Sequence, residues 1–403
     1  MSLVDLEIEK LVYGGEGLAR HAGRAGFIPY TLPGERLTAE IVAERGKTFR
    51  ARPVAWQQQS ELRTVAPCPV FGDCGGCQYQ HIPYEQQLEF KEAILRETLA
   101  RLGSVEWDGP IQRIAGEPWR YRNRTQLRVH KRGRHAEVGF LAAGSHRFVA
   151  APDCPINSPK LNEIHVALRE MARERRFPAF LHEVEFFTNE TDVQMNVVGT
   201  EQPLAKSFFG WAAERLPGLL PGEYIDYPSG DDVFRVGSRS FFQVNRYLTA
   251  ALADAATAGA SGGRALDLYA GVGLFSLPLA RQFDETIGVD SSGAACRSLQ
   301  FNAERAGVPV RVVHLNVDRF LADSREPVDF VLADPPRAGL GKAVTEELLR
   351  LAAPEVRIVS CDPATLARDL RRLLDGGYQL ASLTLVDLFP QTFHLETVVG
   401  LRR

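Results

Sequence analysis

The sequence has 403 residues, which is too long for one ordinary domain and suits two or three. Hydrophobic residues make up 45% and charged residues 24%, as in ordinary globular proteins, and the formal net charge is -3. The acidic start of the chain and the lack of any apolar run near the roughly 20 residues of a membrane span argue against a signal peptide and a membrane anchor. The chain is therefore expected to stay in the cytoplasm.

Short β-like runs separated by Gly and Pro fill the first part of the chain. They lie at 3–12, 27–30 and 37–43. Frequent turn residues between short strands are typical of a small barrel, so an OB-like β-barrel domain is predicted at 1–58. Barrels of this size often bind oligonucleotides, but the fold alone does not establish that function.

Cysteines cluster in the segment that follows the predicted barrel. Cys68, Cys74 and Cys77 are separated by five and then two residues, and Cys154 is a further candidate. In a reducing compartment, clustered thiols point to a metal or to catalysis rather than to disulfides. Four thiolates fit either tetrahedral zinc or an iron–sulfur cluster, and the spacing does not choose between them. A redox disulfide between Cys74 and Cys77 is a third interpretation.

A central domain of mixed helix and strand is predicted at 59–245. One helix is expected at 84–102, where apolar residues recur on one face. The segment 112–147 holds nine basic and two acidic residues, a local formal charge of +7. Because Trp119 and Tyr121 are interleaved with these charges and can stack on bases, the segment predicts an RNA-binding surface. A solvated basic face is the alternative.

Strands and helices alternate in the last part of the chain, at 246–403. Strands are predicted at 265–269, 286–289, 310–314, 330–333 and 356–360. Helical stretches separate most of them, which predicts an α/β domain with a doubly wound, mostly parallel, Rossmann-like sheet.

A glycine loop follows the first strand of this domain. Gly271 and Gly273 let the backbone approach a ligand closely, and Asp290 ends the next strand, where a carboxylate can bind ribose hydroxyls. Ser276 replaces the third glycine of the dinucleotide fingerprint. Asp267 suits the charged methionine end of S-adenosylmethionine better than a pyrophosphate, which it would repel. S-adenosylmethionine is therefore favoured over a dinucleotide, and a tight turn without a ligand is the other alternative.

Two further segments carry side chains suited to chemistry. Residues 334–337 (Asp-Pro-Pro-Arg) end the fourth strand, where ligands bind in open α/β sheets. Arg337 stands where amine methylases tend to have an aromatic residue, so an amine target is disfavoured.

The second segment begins at Cys361, with Asp362 as a natural N-cap and Pro363 at the first helical position. The dipole of that helix is expected to lower the pKa of the thiol and to favour a nucleophile. A small buried residue is the alternative, and it is the interpretation given to Cys296. Near the end of the sequence, Glu396 has apolar neighbours that raise the pKa of a carboxyl, as a base near neutral pH requires. A surface charge on an edge strand is the alternative there.

Together these segments resemble the RNA uracil-5-methyltransferase family, of the bacterial 23S rRNA type. The matching segments, in the same order as in the family, are 241–245 (Phe-Phe-Gln-Val-Asn), 267–275, 334–337, 360–363 (Ser-Cys-Asp-Pro) and 394–396 (His-Leu-Glu). The predicted barrel resembles the TRAM domain of that family, so the resemblance covers essentially the whole chain.

The resemblance implies an enzyme that transfers a methyl group from S-adenosylmethionine to C5 of a uridine in structured RNA. It favours 23S rRNA as the substrate, with tRNA as the alternative, and a monomer is expected. Cys361 would add to C6 of the uridine, and Glu396 would remove the C5 proton. The residues implied for the cofactor site are Gln243, Tyr269, Gly271, Gly273, Leu274, Asp290, Asn316 and Asp334. The residues implied for a structural [4Fe-4S] cluster are Cys68, Cys74, Cys77 and Cys154.

Two other functions compete with this interpretation. One is a non-catalytic RNA-binding protein built on a methyltransferase fold. The other is a nicotinamide-dependent oxidoreductase.

Overall fold

The computed structural model describes residues 2–133, 135–220, 222, 224–238 and 240–403. The chain divides into two compact units. The first unit comprises Met1–Thr98, Phe140–Ala151 and Phe389–His394, and the second comprises Leu99–Gly139, Pro152–Leu388 and Leu395–Arg403. The domain boundaries predicted near residues 58 and 245 stay predictions. Within the described ranges, no helix is long and apolar enough to cross a membrane.

The first unit opens with a closed β-barrel. Its strands are β1 (Leu3–Val12), β2 (Glu16–His21), β3 (Arg24–Pro29), β4 (Arg36–Arg45) and β5 (Thr48–Gln58). They close in the order β1-β2-β3-β5-β4, which leaves no sheet edge unpaired. Exposed and buried residues alternate along β1, and its buried Leu6 and Ile8 pack in the barrel core with Ile28 and Phe49. The predicted N-terminal barrel is confirmed.

A cysteine-bearing loop and helix α1 (Tyr84–Gly103) follow, then a region of short strands and helices. The elements of this region are β6 (Ile111–Ile114), β7 (Arg124–Arg132), β8 (His135–Leu141), β9 (Phe148–Ala150), α2 (Pro159–Met171), β10 (Leu181–Thr188), β11 (Val193–Thr200), α3 (Lys206–Arg215), β12 (Tyr224–Ser229) and β13 (Asp232–Gly237). In the second unit, β11, β10, β7 and β8 pair side by side as antiparallel neighbours. Strands β12 and β13 form a separate hairpin.

The rest of the second unit alternates strands and helices, as predicted. The elements are α4 (Thr249–Thr257), β14 (Gly262–Leu268), α5 (Ser276–Ala280), β15 (Phe283–Asp290), α6 (Gly293–Ala306), β16 (Val310–His314), α7 (Val317–Asp323), β17 (Phe330–Ala333), α8 (Gly341–Leu351), β18 (Glu355–Ser360), α9 (Pro363–Asp375), β19 (Gln379–Val386) and β20 (Glu396–Arg402). The strands pair in the order β16-β15-β14-β17-β18-β20-β19-β6. Strands β14 to β18 are parallel, whereas β20 runs antiparallel to both of its neighbours. The predicted α/β class with a mostly parallel sheet is confirmed.

This topology gathers the predicted site residues at one edge of the sheet. The carboxyl ends of parallel strands meet at the same edge, where open α/β sheets bind ligands. Tyr269 follows β14, Asp290 ends β15, Asp334 follows β17 and Cys361 follows β18. Because β20 is antiparallel, its first residue, Glu396, lies at that edge too.

Candidate active site

The loop after β14 has a backbone that few side chains tolerate. Tyr269 has φ 64, Gly271 has φ 57 and Gly273 has φ 98. A Cβ added at Gly273 would lie 2.4 Å from Leu299 Cδ1. A residue such as Tyr269 in the left-handed region costs free energy, and such strain is common at binding sites. The loop therefore depends on its glycines, as the sequence predicts.

The carboxylate of Asp290 anchors this loop to the next strand. Asp290 Oδ2 accepts a hydrogen bond from the Gly271 N–H at 2.9 Å, and Oδ1 accepts one from the Ser292 N–H at 2.7 Å. Two backbone donors therefore fix the carboxylate at the end of β15. This is the position from which a carboxylate can bind the ribose hydroxyls of an adenosyl cofactor.

Asp267, the last acidic residue before the loop, is fully buried. One of its oxygens accepts a hydrogen bond from the Ser276 hydroxyl, and the other has no hydrogen-bond partner in the described part of the chain. Burial raises the pKa of Asp267 to about 7, and the charges of Asp334 and Asp290 act in the same direction. A positive charge nearby would lower this pKa and stabilise the ionised carboxylate.

A cleft at this edge brings together Gln243, Tyr269, Gly271, Leu274 and Asp334. These are five of the residues that the resemblance implies for the cofactor site. The side-chain amide of Gln243 donates to Asp334 Oδ2 at 3.5 Å, which joins the segment before α4 to the loop after β17.

Aromatic side chains supply the apolar part of the cleft. They come from Phe241, Phe242 and Phe275. Phe241 is 67% exposed, and no local signal in the sequence distinguishes it from its buried neighbour Phe242. The sequence motif at 241–245 marked the segment, but the orientation of each ring follows from tertiary packing.

Three other implied cofactor residues lie outside the lining of this cleft. Gly273 allows the turn of the glycine loop, and the Asp290 carboxylate holds that loop through the Gly271 N–H. Asn316 is exposed at the N-cap of α7, and its side chain makes no capping hydrogen bond. The neighbouring Leu315 N–H donates to the Asp290 carbonyl at 3.1 Å, so Asn316 follows directly on a contact with the end of β15.

The register of two strands places the predicted nucleophile beside the predicted base. Ser360, the last residue of β18, is paired with Thr397 of β20. The next residues along this antiparallel pair are Cys361 and Glu396. The Asp362 side chain accepts hydrogen bonds from the Ala364 and Thr365 N–H groups at 3.0 and 2.9 Å, so the predicted N-cap is confirmed.

The electrostatics of Cys361 differ from the expectation. Burial and the charges of Glu396, Asp334 and Asp362 together raise the pKa of the thiol to about 11, although the Arg337 charge lowers it. The predicted lowering of this pKa is wrong, because desolvation and three nearby carboxylates raise it. Among these charges, that of Arg337 is the one that favours the thiolate.

Glu396 behaves as the sequence predicts. Its side chain is buried, with 4% of the residue exposed. Burial raises the pKa of Glu396 well above its ordinary value, Asp334 raises it further, and Arg337 lowers it. The pKa of Asp334 is raised by burial as well. A carboxyl with a raised pKa can accept a proton near neutral pH.

The cysteine cluster is not confirmed. Cys68, Cys74 and Cys77 lie in the loop of the first unit, and Cys154 belongs to the second unit. All six cysteines are within the described residues and none forms a disulfide, including the pair Cys74 and Cys77. Among the residues that the structure describes, no three His, Cys, Asp or Glu side chains form a group placed to hold a metal ion. The metal site therefore stays a prediction.

The basic segment 112–147 carries less available charge than its sequence suggests. Arg124 pairs with Glu185, and Arg128 with Glu183, each at 2.7 Å. In the first unit, the Arg147 guanidinium lies 3.0 Å from the Asp73 carboxylate. Arg134 lies outside the described residues, and so does the side chain of Arg132.

The two aromatic residues of this segment also differ in how accessible they are to a ligand. Tyr121 is 1% exposed, so the expectation that it stacks on RNA bases is wrong, because its ring belongs to the core. Trp119 is half-buried. An RNA surface here would rest on Trp119 and on exposed cations such as Arg120 and Lys131.

Comparisons with known proteins identify the family. A family model described as tRNA (Uracil-5-)-methyltransferase matches residues 230–403. An uncharacterized RNA methyltransferase of Halalkalibacterium halodurans is 33% identical over 99% of this chain and 96% of its own length. A 23S rRNA (uracil(1939)-C(5))-methyltransferase of Pseudomonas aeruginosa is 33% identical over 98% of this chain and 92% of its own length. The crystal structure of a Pyrococcus abyssi tRNA (uracil-54, C5)-methyltransferase in complex with S-adenosyl-L-homocysteine is 25% identical, covers 98% of this chain and 100% of its own, and gives a TM-score of 0.78. The chain therefore belongs to the RNA uracil-C5-methyltransferase family.

Proposed function

We propose that this protein transfers a methyl group from S-adenosylmethionine to C5 of a uridine in structured RNA. The observation that carries the proposal is the pairing of β18 with β20, which sets Cys361 beside Glu396 at the edge of the sheet that also holds the cofactor cleft. A thiol and a carboxyl with a raised pKa are the two groups that C5 methylation requires.

The cleft suits the methyl donor. Its glycine loop leaves room for close approach, Asp290 stands where ribose hydroxyls bind, and the buried carboxylate of Asp267 favours a nearby positive charge. S-adenosylmethionine, when bound, supplies an electrophilic methyl group on a sulfonium.

The chain's own residues perform the remaining steps. The Cys361 thiolate forms a bond to C6 of the uracil, and the electron pair of the C5–C6 double bond becomes available at C5. C5 then takes the methyl group and still carries its hydrogen. Glu396 removes that hydrogen as a proton, the electron pair restores the double bond, and the bond between sulfur and C6 breaks. Without this addition, C5 of uracil is too weak a nucleophile.

Ribosomal RNA is the proposed substrate. Relatives from Pseudomonas and Shewanella that align with nearly the whole chain are named as 23S rRNA (uracil(1939)-C(5))-methyltransferases. The Pyrococcus abyssi enzyme of known structure is named as a tRNA methyltransferase, so tRNA is the alternative substrate. We expect a monomer that acts in the cytoplasm, where both RNAs are found.

A labelling experiment tests the function. The purified protein is incubated with methyl-labelled S-adenosylmethionine and with 23S rRNA or tRNA transcripts, and the modified nucleotide is mapped. Label in 5-methyluridine of 23S rRNA is expected with the wild type and with Cys296→Ala, whose cysteine is buried in α6. No label is expected with Cys361→Ala. Equal labelling by Cys361→Ala would remove the thiol from the mechanism, and RNA binding without any labelling would favour a non-catalytic RNA-binding protein.

We also propose that Cys68, Cys74, Cys77 and Cys154 hold a [4Fe-4S] cluster. Supporting this, three thiols fall within ten residues of a loop without regular secondary structure, and none of them is in a disulfide. The cluster would have a structural role, because methyl transfer moves no electrons to or from the protein.

Metal analysis after anaerobic purification tests the cluster. We expect about four iron and four sulfide per chain, as a [4Fe-4S] centre requires, and loss of both in Cys77→Ser. The matched variant Cys296→Ser is expected to keep them. Stoichiometric zinc without sulfide would contradict the proposal and would favour a zinc site.

A further inference from the structure

The loop 337–340 is held by one face of helix α9. Thr365, Arg368 and Asp369 lie three and four residues apart on that helix, so their side chains share a face. The three hydrogen bonds are Thr365 Oγ1 to the Arg337 carbonyl at 3.3 Å, Arg368 Nη2 to the Ala338 carbonyl at 2.7 Å, and the Leu340 N–H to Asp369 Oδ2 at 2.7 Å. The helix therefore contacts the backbone of the loop and not only its side chains.

Asp369 is the buried member of this face. It is 2% exposed, and its carboxylate lies 3.0 Å from the Arg368 guanidinium and 3.5 Å from that of Arg372. The loop backbone packs closely against this carboxylate at Gly339, which has φ +76. A Cβ added at Gly339 would lie 2.4 Å from Asp369 Oδ2. A buried carboxylate is costly unless it is paired, and here the pairing serves a loop rather than a core contact.

The same loop begins with the charges that face the proposed chemistry. Arg337 is its first residue, and Asp334 lies three residues before it. Both charges act on Cys361 and Glu396: Arg337 favours the ionised forms and Asp334 disfavours them. Cys361 itself precedes α9 by two residues. Helix α9 therefore begins next to the proposed nucleophile, Cys361. Further along, the same helix anchors the loop that carries the Arg337 charge.

We propose that Asp369 is a positioning residue, which fixes the loop 337–340 and thereby the place of the Arg337 charge that acts on the Cys361 thiol and the Glu396 carboxyl. This inference rests on the proposed function for its importance in catalysis. Its geometry does not depend on which RNA is the substrate.

The alkylation of Cys361 tests the inference without RNA or cofactor. The rate of modification by iodoacetamide is measured against pH by mass spectrometry of the peptide that contains Cys361. The groups that face the thiol are Glu396 from β20, Arg337 and Asp334 from the loop after β17, and Asp362 from the start of α9. The midpoint is the pH at which the alkylation rate is half of its maximum. Asp369→Ala removes the anchor of the loop and is expected to raise this midpoint by about one pH unit, so that the alkylation rate below the midpoint falls about tenfold.

A matched variant separates this effect from general damage to the helix. Asp375 lies on α9 as well and pairs with Arg371 at 2.8 Å, but among the described residues no hydrogen bond joins it to the loop. Asp375→Ala is expected to leave the midpoint and the kcat of methyl transfer at wild-type values. For Asp369→Ala we expect kcat to fall about tenfold, with the KM for S-adenosylmethionine within about twofold of the wild type.

A second variant covers the case in which Asp369→Ala does not fold. Asp369→Asn keeps an acceptor for the Leu340 N–H but removes the charge that orients Arg368, so a smaller rise of the midpoint is expected. A wild-type midpoint in Asp369→Asn would overturn the inference, and so would a wild-type midpoint in a folded Asp369→Ala. Failure of the wild type to methylate any RNA would overturn the proposed function alone, since the alkylation profile is measured without substrate.

Discussion

Replacing Glu396 with glutamine is expected to move two properties of the site in opposite directions. The change keeps the shape of the side chain but removes the charge and the ability to take a proton. Methyl transfer should fall because the C5 proton can no longer leave. The Cys361 thiol should become more acidic, since the Glu396 charge is one of the causes of its raised pKa of about 11.

The size of each effect follows from the geometry. Directly opposed residues of an antiparallel pair have Cβ atoms roughly 5 Å apart, and at an effective dielectric of about 20 two charges at that distance interact by about 3 kcal/mol. Because 1.36 kcal/mol corresponds to one pKa unit, the pKa of Cys361 should fall by about two units in Glu396→Gln. Loss of a general base lowers turnover by roughly 100-fold to 10,000-fold.

Two assays on one preparation measure both effects. Alkylation of Cys361 against pH reports the thiol, and transfer of labelled methyl to an RNA transcript reports turnover. With RNA and S-adenosylmethionine, Glu396→Gln should also accumulate a covalent protein–RNA adduct that survives denaturation. The matched control is Glu355→Gln at the other end of β18, a half-buried carboxylate that pairs with Arg357 at 2.7 Å. Turnover within tenfold of the wild type would refute the role as base, and an unmoved thiol profile would refute the juxtaposition of the two groups.

Three further outcomes are expected. Asp290→Ala removes the acceptor of two loop N–H groups and should weaken S-adenosylmethionine binding at least tenfold by calorimetry, whereas Asp284→Ala, at the exposed start of the same strand, should bind like the wild type. The pKa of Asp267 is raised from 3.8 to about 7, so its stabilising contribution is full below pH 3.8 and is lost as pH rises through about 7. The free energy of unfolding, measured with urea, should therefore fall between those pH values in the wild type. The fall should be up to about 4 kcal/mol larger than in Asp267→Asn. Equal falls in the two proteins would contradict the raised pKa of Asp267. Gly273→Ala should cost about 1–3 kcal/mol of stability, because its Cβ would lie 2.4 Å from a buried leucine carbon, while Gly307→Ala, which meets nothing within 4 Å, should cost less in the same urea assay.

Local sequence patterns predicted those elements whose causes are local. Strands β16 and β17 match the predicted bounds, since short apolar runs bounded by turn signals define them. The N-cap at Asp362 was predictable for the same reason, because a side chain that caps its own helix needs no distant partner. Strand β6 was not predicted. It joins the sheet by pairing with β19, where Ile111 is opposite Leu383, and nothing near β6 in the sequence indicates that partner.

The site shows the same division. Cys361 and Glu396 were proposed as nucleophile and base from motifs. The acidity of Cys361 could not be predicted in this way, since it depends on Glu396, which β20 brings close to it. The stacking role expected for Tyr121 failed because burial is a property of the folded chain and not of the segment. The anchoring of the loop 337–340 by Asp369 was likewise invisible, because it joins residues 29 positions apart.

Strand β20 lies between β18 and β19, although it follows both of them in the chain. In the folded sheet, β20 pairs with β18 on one side and with β19 on the other. Without β20, strands β19 and β6 would have no hydrogen-bonded connection to the parallel strands. Substitutions that weaken the pairing of β20 are therefore expected to lower the stability of the sheet and to displace Glu396 from Cys361 at the same time.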